Sequence, residues 1–243
     1  MKIWLLSDLH LDYTADYLPD MEIPEYDVCV MPGDLSNGDY DVMPWLLRLP
    51  ERVRTQMLYV PGNHDFYKIG IAAGKERLQR IAGETGIVVL DNRRVKLGDQ
   101  GFIGSTLWSS LAEDAYVENA TLDLYHIPDF KGSDYRRLHE EALEYLDSET
   151  IPGDIVISHH APHRDGVDQK FFHNIQLMGL ISSQCSALGD LMAALEPKAW
   201  VHGHTHIKKS YEVNGIPVHT CADEQLDFTF ETDGYTHRPP GYN

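Results

Sequence analysis

Asp8 and His10 stand two residues apart after a short apolar run, and His204 and His206 repeat that spacing near the other end of the chain. Between them come Asp34 in Gly33-Asp34, the run Gly62-Asn63-His64-Asp65, and the adjacent pair His159-His160. Carboxylates, an amide and imidazoles are the groups that hold divalent cations or move protons. In an extended stretch residues i and i+2 point to one side, so Asp8 with His10, and His204 with His206, can each face a shared ion. Asp34 has two oxygens and can bridge two cations, and Asn63 offers a neutral carbonyl oxygen. A mixed nitrogen and oxygen set suits Mn, Fe, Zn, Co or Ni better than Ca, which prefers oxygen alone. Gathered without a partner, these groups would repel one another or be badly desolvated; a metal centre removes that problem.

Each cluster follows a short apolar run, and those runs are what must bring the clusters together. Residues 3–6, 28–31, 57–60, 155–157 and 199–201 read as buried strands that end at Asp8, Asp34, Asn63, His159 and His204 respectively. Near-continuous apolar strands belong to sheets covered on both faces. In open α/β sheets the ligand site gathers at the carboxyl ends of the strands. Helical patterns fall between them at 42–49, 75–82, 135–146 and 186–195, the last stopped by Pro197. Strands alternating with helices predict an α/β layered fold. The stretches 88–104 and 211–228 read as strands without helices, antiparallel ribbons at the edges of two packed sheets. Segments 109–132 and 163–183 fit neither pattern, and lids or binding loops are as good a reading of them as ordinary loops with short helices. With no repeat and no long linker, the chain reads as a single domain over 1–243.

Composition bounds the partners. The 243 residues carry 20 Lys+Arg against 38 Asp+Glu, a formal charge of −18. Such a chain repels polyanions at long range and lacks a basic face, so nucleic acid is disfavoured, though bound cations would offset some of that charge. The cysteines Cys29, Cys185 and Cys221 are odd in number and form no C-x-x-C pair, which reads as reduced, buried thiols. No apolar stretch approaches the roughly 20 residues that span a bilayer, and the N-terminus does not read as a secretion signal. The expected location is the cytoplasm, with no membrane partner; the sequence does not set the oligomeric state.

Taken in order, Asp8-x-His10, Gly33-Asp34, Gly62-Asn63-His64-Asp65, the His159 segment and Gly203-His204-Thr205-His206 resemble the five blocks of the calcineurin-like metallophosphoesterase superfamily. One block alone is weak; all in order, over most of the chain, are specific. The resemblance implies a four-layer α/β/β/α sandwich of two mixed β-sheets flanked by helices. It also implies two divalent metal ions, Mn or Fe first and Zn, Co or Ni as alternatives. Asp8, His10, Asp34 and His206 would hold one, and Asp34, Asn63, His159 and His204 the other, with Asp34 between them. His64 would not be a ligand but would protonate the leaving oxygen, and Asp65 would orient His64 through its other ring nitrogen. His159, directly after the strand, is favoured over His160 as the ligand, and His202 is read as structural.

The chemistry that follows is hydrolysis of a small phosphorylated substrate. Two cations about 3.5–4 Å apart acidify a shared water, so a bridging hydroxide can attack phosphorus in line with the leaving oxygen. His64 as general acid would add about 10²–10⁴-fold. Protein Ser/Thr phosphatases of the superfamily carry an arginine shortly after the Gly-Asp, whereas Gly33-Asp34 is followed here by Leu35-Ser36-Asn37-Gly38. That absence weakens the protein-phosphatase reading, and the lack of specialised monoesterase features favours phosphodiesters over monoesters. The alternatives are a phosphomonoesterase or nucleotide pyrophosphatase, and a non-catalytic metal-binding scaffold. The tail Arg238-Pro239-Pro240-Gly241-Tyr242-Asn243 resembles a diverged form of a segment seen in similar bacterial members, so any substrate role for it is open.

Overall fold

A computed structural model describes the backbone of residues 1–14, 23–173, 175–221, 225–231 and 234–236, and the side chains of 1–13, 23–173 and 177–221. Twelve strands lie among them: β1 (Lys2–Leu6), β2 (Val28–Met31), β3 (Met57–Tyr59), β4 (Val88–Val89), β5 (Arg93–Leu97), β6 (Gln100–Ser105), β7 (Ile155–Ser158), β8 (Ala199–His202), β9 (Lys209–Val213), β10 (Ile216–Thr220), β11 (Gln225–Glu231) and β12 (Gly234–Thr236). They form two sheets, in the orders β12-β11-β1-β2-β3-β4 and β5-β6-β7-β8-β10-β9. The first is parallel from β1 to β4 with β11 antiparallel on the outer side of β1. The second is parallel from β6 through β7 and β8 to β10, with β5 and β9 antiparallel at its edges. Both sheets are therefore mixed.

Alternation along the strands assigns the layers. Ile3 and Leu5 of β1 and Val28 and Val30 of β2 pack against Ile155, Ile157 and Val201 of the second sheet, all buried. Their neighbours Trp4, Leu6, Cys29 and Met31 point the other way. There they meet Leu46 of helix Met43–Arg48 and Leu78 and Ile81 of helix Ile71–Thr85. On the far side Val156, Trp200 and Val218 pack against Leu146 of helix Gly132–Glu149 and Met192 of helix Gly189–Leu195. The result is the α/β/β/α sandwich. Strands covered on both faces had to be apolar at every position, and each fully buried aliphatic contributes roughly 1.5–3 kcal/mol.

Three expectations change in detail. The helix read at 75–82 runs Ile71–Thr85 and is closed by Gly86, whose left-handed φ of 82° lets its N–H reach Ala82 O. The strand-rich stretch 211–228 divides: β9 and β10 flank the second sheet, while β11 covers the edge of β1 in the first, an edge that would otherwise stand unpaired. Segments 109–132 and 163–183 contain helices of four to six residues, Ala115–Ala120, Asp123–His126, Lys170–His173, Ile175–Met178 and Ile181–Gln184. One turn of helix is too short for a 3.6-residue period to show in sequence. The tail 238–243 lies outside the described residues. No helix among the described residues is long and apolar enough to cross a membrane.

Candidate metal centre

The loops after β1, β2, β3, β7 and β8 meet at one end of the two sheets. Backbone hydrogen bonds knit them: Asp8 N to Gly33 O (3.1 Å), His10 N to Asp34 O (3.1 Å) and Gly203 N to His159 O (3.0 Å). Asp8, His10, Asp34, His204 and His206 all adopt left-handed backbone, with φ of 56°, 43°, 55°, 66° and 50°. The i, i+2 pairs therefore converge through tight turns and not, as their spacing predicts, through extended strand. Each such residue costs on the order of 1–3 kcal/mol, strain of a kind that clusters at ligand sites. Glycine makes the approach possible, since a Cβ on Gly62 would collide with the Asp34 carboxylate and one on Gly203 with Ser7.

The candidate ligands gather in two groups with Asp34 between them, and His64 forms a further cluster with His10 and Asp34. In the first, His206 Nε2 lies 3.2 Å from His10 Nε2 and 3.6 Å from Asp8 Oδ1. In the second, His159 Nε2 lies 2.8 Å from Asn63 Oδ1, and His204 Nδ1 is 3.2 Å from the same oxygen. Asp34 Oδ2 faces both, 3.9 Å from His10 Nε2 and 3.4 Å from His159 Nε2. The clusters Asp8-His10-His206 and Asp34-His159-His204 each bring their ligand atoms within 4.8 Å of one another.

The surrounding contacts fix which atoms point inward. His159 donates from Nδ1 to Pro32 O at 2.7 Å, which leaves Nε2 for the centre. His204 gives Nε2–H to Ser183 O at 3.2 Å, which leaves Nδ1. Asn63 donates Nδ2–H to Asp123 Oδ1 at 2.7 Å, turning its oxygen inward. Acceptor atoms thus crowd together with their own protons engaged elsewhere, the pattern of metal ligands held by outer partners. Charge agrees. Burial pushes the Asp8 carboxyl up to about 6, with His159 opposing and Asp34 reinforcing that rise. Burial would raise Asp34 too, but His159 and His64 outweigh it and hold that carboxyl well below its usual range. Buried carboxylates that demand neighbouring positive charge fit divalent cations, and the nitrogen and oxygen donors fit transition metals.

The comparisons with known proteins decide the lineage. The family model for calcineurin-like phosphoesterases matches residues 1–208. The chain belongs to that family. An uncharacterised protein of Acanthamoeba polyphaga mimivirus is 24% identical, over 95% of this chain and 92% of its own. The phosphopantetheinyl hydrolase of Mycobacterium tuberculosis shares the fold with a TM-score of 0.68 at 17% identity, covering 91% of this chain and 88% of that one. The TT1561 protein of Thermus thermophilus does so at 0.54 and 13% identity, covering 91% and 89%.

In this calcineurin-like chain the structure brings together Asp8, His10, Asp34, Asn63, His159, His204 and His206, with His64 beside them. His64 N donates to Asp34 Oδ1 at 3.0 Å, and its ring sits edge-on to His10 at 4.5 Å and stacks on Tyr67 at 4.1 Å. Asp65 is the exception. Its Oδ2 accepts from Gly62 N at 2.8 Å and from the Tyr59 hydroxyl, and it is fully buried beneath the turn. The partner of His64 Nδ1 is Asn37 Oδ1, at 2.9 Å. Asp65 therefore lies within the turn that presents Asn63 and His64, and Asn37 stands beside His64 Nδ1 where Asp65 was expected. Burial, then the Asp34 charge, raises the Asp65 carboxyl to about 6, and Arg77 stands 4.0 Å away.

Sequence reasoning missed Asn37, Tyr67 and Asp123. Asn37 lies three residues after Asp34 and Tyr67 four after Asn63, so local spacing held a signal for each. Asp123 lies in an unassigned segment and had none. His160 is a packing residue: its Nε2 faces Tyr135 OH at 2.9 Å and its ring stacks on Trp108 at 5.6 Å. His202 pairs with Tyr211 OH at 3.0 Å. His163 Nδ1 accepts from Asp165 N within its own turn, and Arg164 covers the Phe172 ring at 4.8 Å.

Proposed function

We propose that the chain is a divalent-metal-dependent hydrolase of small phosphate esters, with diesters preferred to monoesters, working in the cytoplasm with Mn or Fe. The observation that carries this reading is Asp34 Oδ2, placed between His159 Nε2 at 3.4 Å and His10 Nε2 at 3.9 Å. One carboxylate oxygen facing two separate nitrogen groups suits a side chain shared by two cations. Asp8, His10, Asp34 and His206 would hold the first, and Asp34, Asn63, His159 and His204 the second. Such a pair, when bound, supplies positive charge to phosphate oxygens and acidifies water.

The rest falls to this chain's own side chains. Asn37 holds the Nδ1 proton of His64, so Nε2 is the nitrogen that can pass a proton to the leaving oxygen. Tyr67 and His10 pin the plane of that ring from two sides. Asp123 and Tyr67 hold the Asn63 amide with its oxygen turned to the centre. The lack of the phosphatase arginine after Gly33-Asp34 weighs against a protein phosphatase, and the lack of specialised monoesterase features supports the diester preference.

The test is metal analysis of the purified protein followed by turnover of bis(4-nitrophenyl) phosphate against 4-nitrophenyl phosphate, before and after chelation. Loss on chelation, recovery with Mn and faster diester turnover are expected. Faster monoester turnover would favour the monoesterase alternative. Turnover that survives chelation would overturn the metal mechanism, and failure on a broad ester panel would favour the scaffold.

A further inference from the structure

Beside the metal cage lies a cavity of about 220 Å³. One wall is the site itself, through Asn63, His64 and His204. The facing walls come from the two segments that the sequence left unassigned, through Leu122 on one side and Phe171, Leu177 and Leu180 on the other. No Lys or Arg lines it among the described residues. Its polar groups are largely engaged: Thr121 Oγ1 donates to Val117 O (2.7 Å), Ser183 Oγ to Leu180 O (2.8 Å), and Asp123 accepts from Tyr67 OH (2.6 Å) and Asn63. Gln184 adds an amide at the wall. The same two segments carry Tyr116, Leu122, Tyr125 and Met178, each more than half exposed, and a Cβ on Gly179 would lie 3.2 Å from the Tyr116 ring. Four of the seven large apolar side chains that stand exposed among the described residues thus lie on these two segments.

We infer that this cavity receives the leaving alcohol of the substrate, and that this alcohol is uncharged and carries a compact apolar group, an aryl ring or a short branched chain. The inference rests on the hydrolase reading above. Its placement follows from His64, which lines both cage and cavity: a group bonded to the oxygen that takes the His64 proton must extend from that ring into the cavity. Its chemistry follows from the walls. An anionic leaving group would lose water, meet no Lys or Arg among the described lining residues and approach Asp123 in a chain of charge −18. Its size follows from the volume, which falls below the roughly 300–1,000 Å³ of pockets for drug-sized ligands. That is room for one arm of an ester.

The experiment compares metal-loaded wild type on methyl phenyl phosphate and methyl 4-sulfophenyl phosphate. The sulfophenyl ester has the better leaving group chemically but a charged one. The phenyl ester should nevertheless lead by at least about tenfold in kcat/KM, the discrimination one apolar pocket provides. Leu180→Lys, and Leu122→Lys at a position 64% exposed, should each bring that ratio to one or below. Equal or reversed preference in wild type, or a ratio unmoved by both variants, overturns the cavity assignment and leaves the hydrolase reading standing. No turnover of either ester, or of the nitrophenyl diester, overturns both.

Discussion

His64 donates its Nδ1 proton to the side-chain oxygen of Asn37, 2.9 Å away, and Asn37 is itself buried at 3% exposure. An amide accepts the proton without bringing a charge. It therefore fixes the tautomer and the ring direction of His64 but does not stabilise an imidazolium as a carboxylate would. Asn37 is in turn anchored by its own N–H to Asp12 Oδ1 at 3.1 Å.

Asn37→Ala should thus leave metal content unchanged and slow turnover about 10–100-fold for alkyl esters, which need a proton on the leaving oxygen. For nitrophenyl esters, whose leaving group departs unaided, the loss should be small. Asn37→Asp should restore alkyl-ester turnover. A plot of log kcat against leaving-group pKa for the three proteins checks this, and parallel lines for wild type and Asn37→Ala would remove the orienting role.

Asp34 lies between the two groups, so on the proposed reading its removal should act on both. Asp34→Ala should lose one cation outright, weaken the other and abolish turnover. Asp8→Ala should damage mainly the group containing His10 and His206, since Asp8 Oδ1 faces His206 Nε2 at 3.6 Å. Elemental analysis after equilibrium dialysis against Mn gives the stoichiometry of each variant. Two tightly bound ions in Asp34→Ala would refute the shared ligand.

The candidate ligands were legible in the sequence because each cluster follows a buried strand. The apolar runs of β1, β2, β3, β7 and β8 announce themselves, and a histidine, asparagine or aspartate directly after one has few reasons to be there. The reason given for their convergence was not legible, because left-handed turns at Asp8 and His206 leave no pattern in residue type. Asp65 shows the limit of motif reading. Its place in Asn63-His64-Asp65 suggested a partner for His64, but the turn buries it against Tyr59 and Gly62. Asp123 marks the other limit: it reaches Asn63 from 60 residues away, on a helix of four residues that no periodicity reveals.

Asp123 should prove important for metal affinity without touching a metal. It accepts from Asn63 Nδ2 at 2.7 Å and Tyr67 OH at 2.6 Å, so Asp123→Ala frees the Asn63 amide to rotate its nitrogen inward. The second cation should bind about 10–100-fold more weakly, as outer partners of ligands commonly require, and excess metal should recover much of the turnover. Calorimetric titration with Mn measures this; unchanged affinity would make Asp123 a packing residue only.

Acid sensitivity should trace in part to His202. It is fully buried, donates from Nδ1 to Gly203 O at 2.9 Å and accepts at Nε2 from Tyr211 OH at 3.0 Å, so the folded site holds the neutral ring. Burial lowers its pKa from 6.5 to about 4, with the Gly203 carbonyl opposing and His159 and His219 reinforcing the fall. The unfolded chain therefore binds a proton below pH 6.5 that the folded chain refuses until about pH 4. Stability is full above the higher value and falls with pH between the two, by about 1.4 kcal/mol per pH unit and about 3 kcal/mol in all. His202→Gln cannot titrate, so its stability should fall less between pH 6.5 and 5, by about 2 kcal/mol. Urea unfolding of both proteins, each stripped of metal by chelator so that cation release does not contribute, gives the difference. Equal losses would mean that the buried ring accepts its proton in the folded state, against the packing of Gly203 and Tyr211 around it.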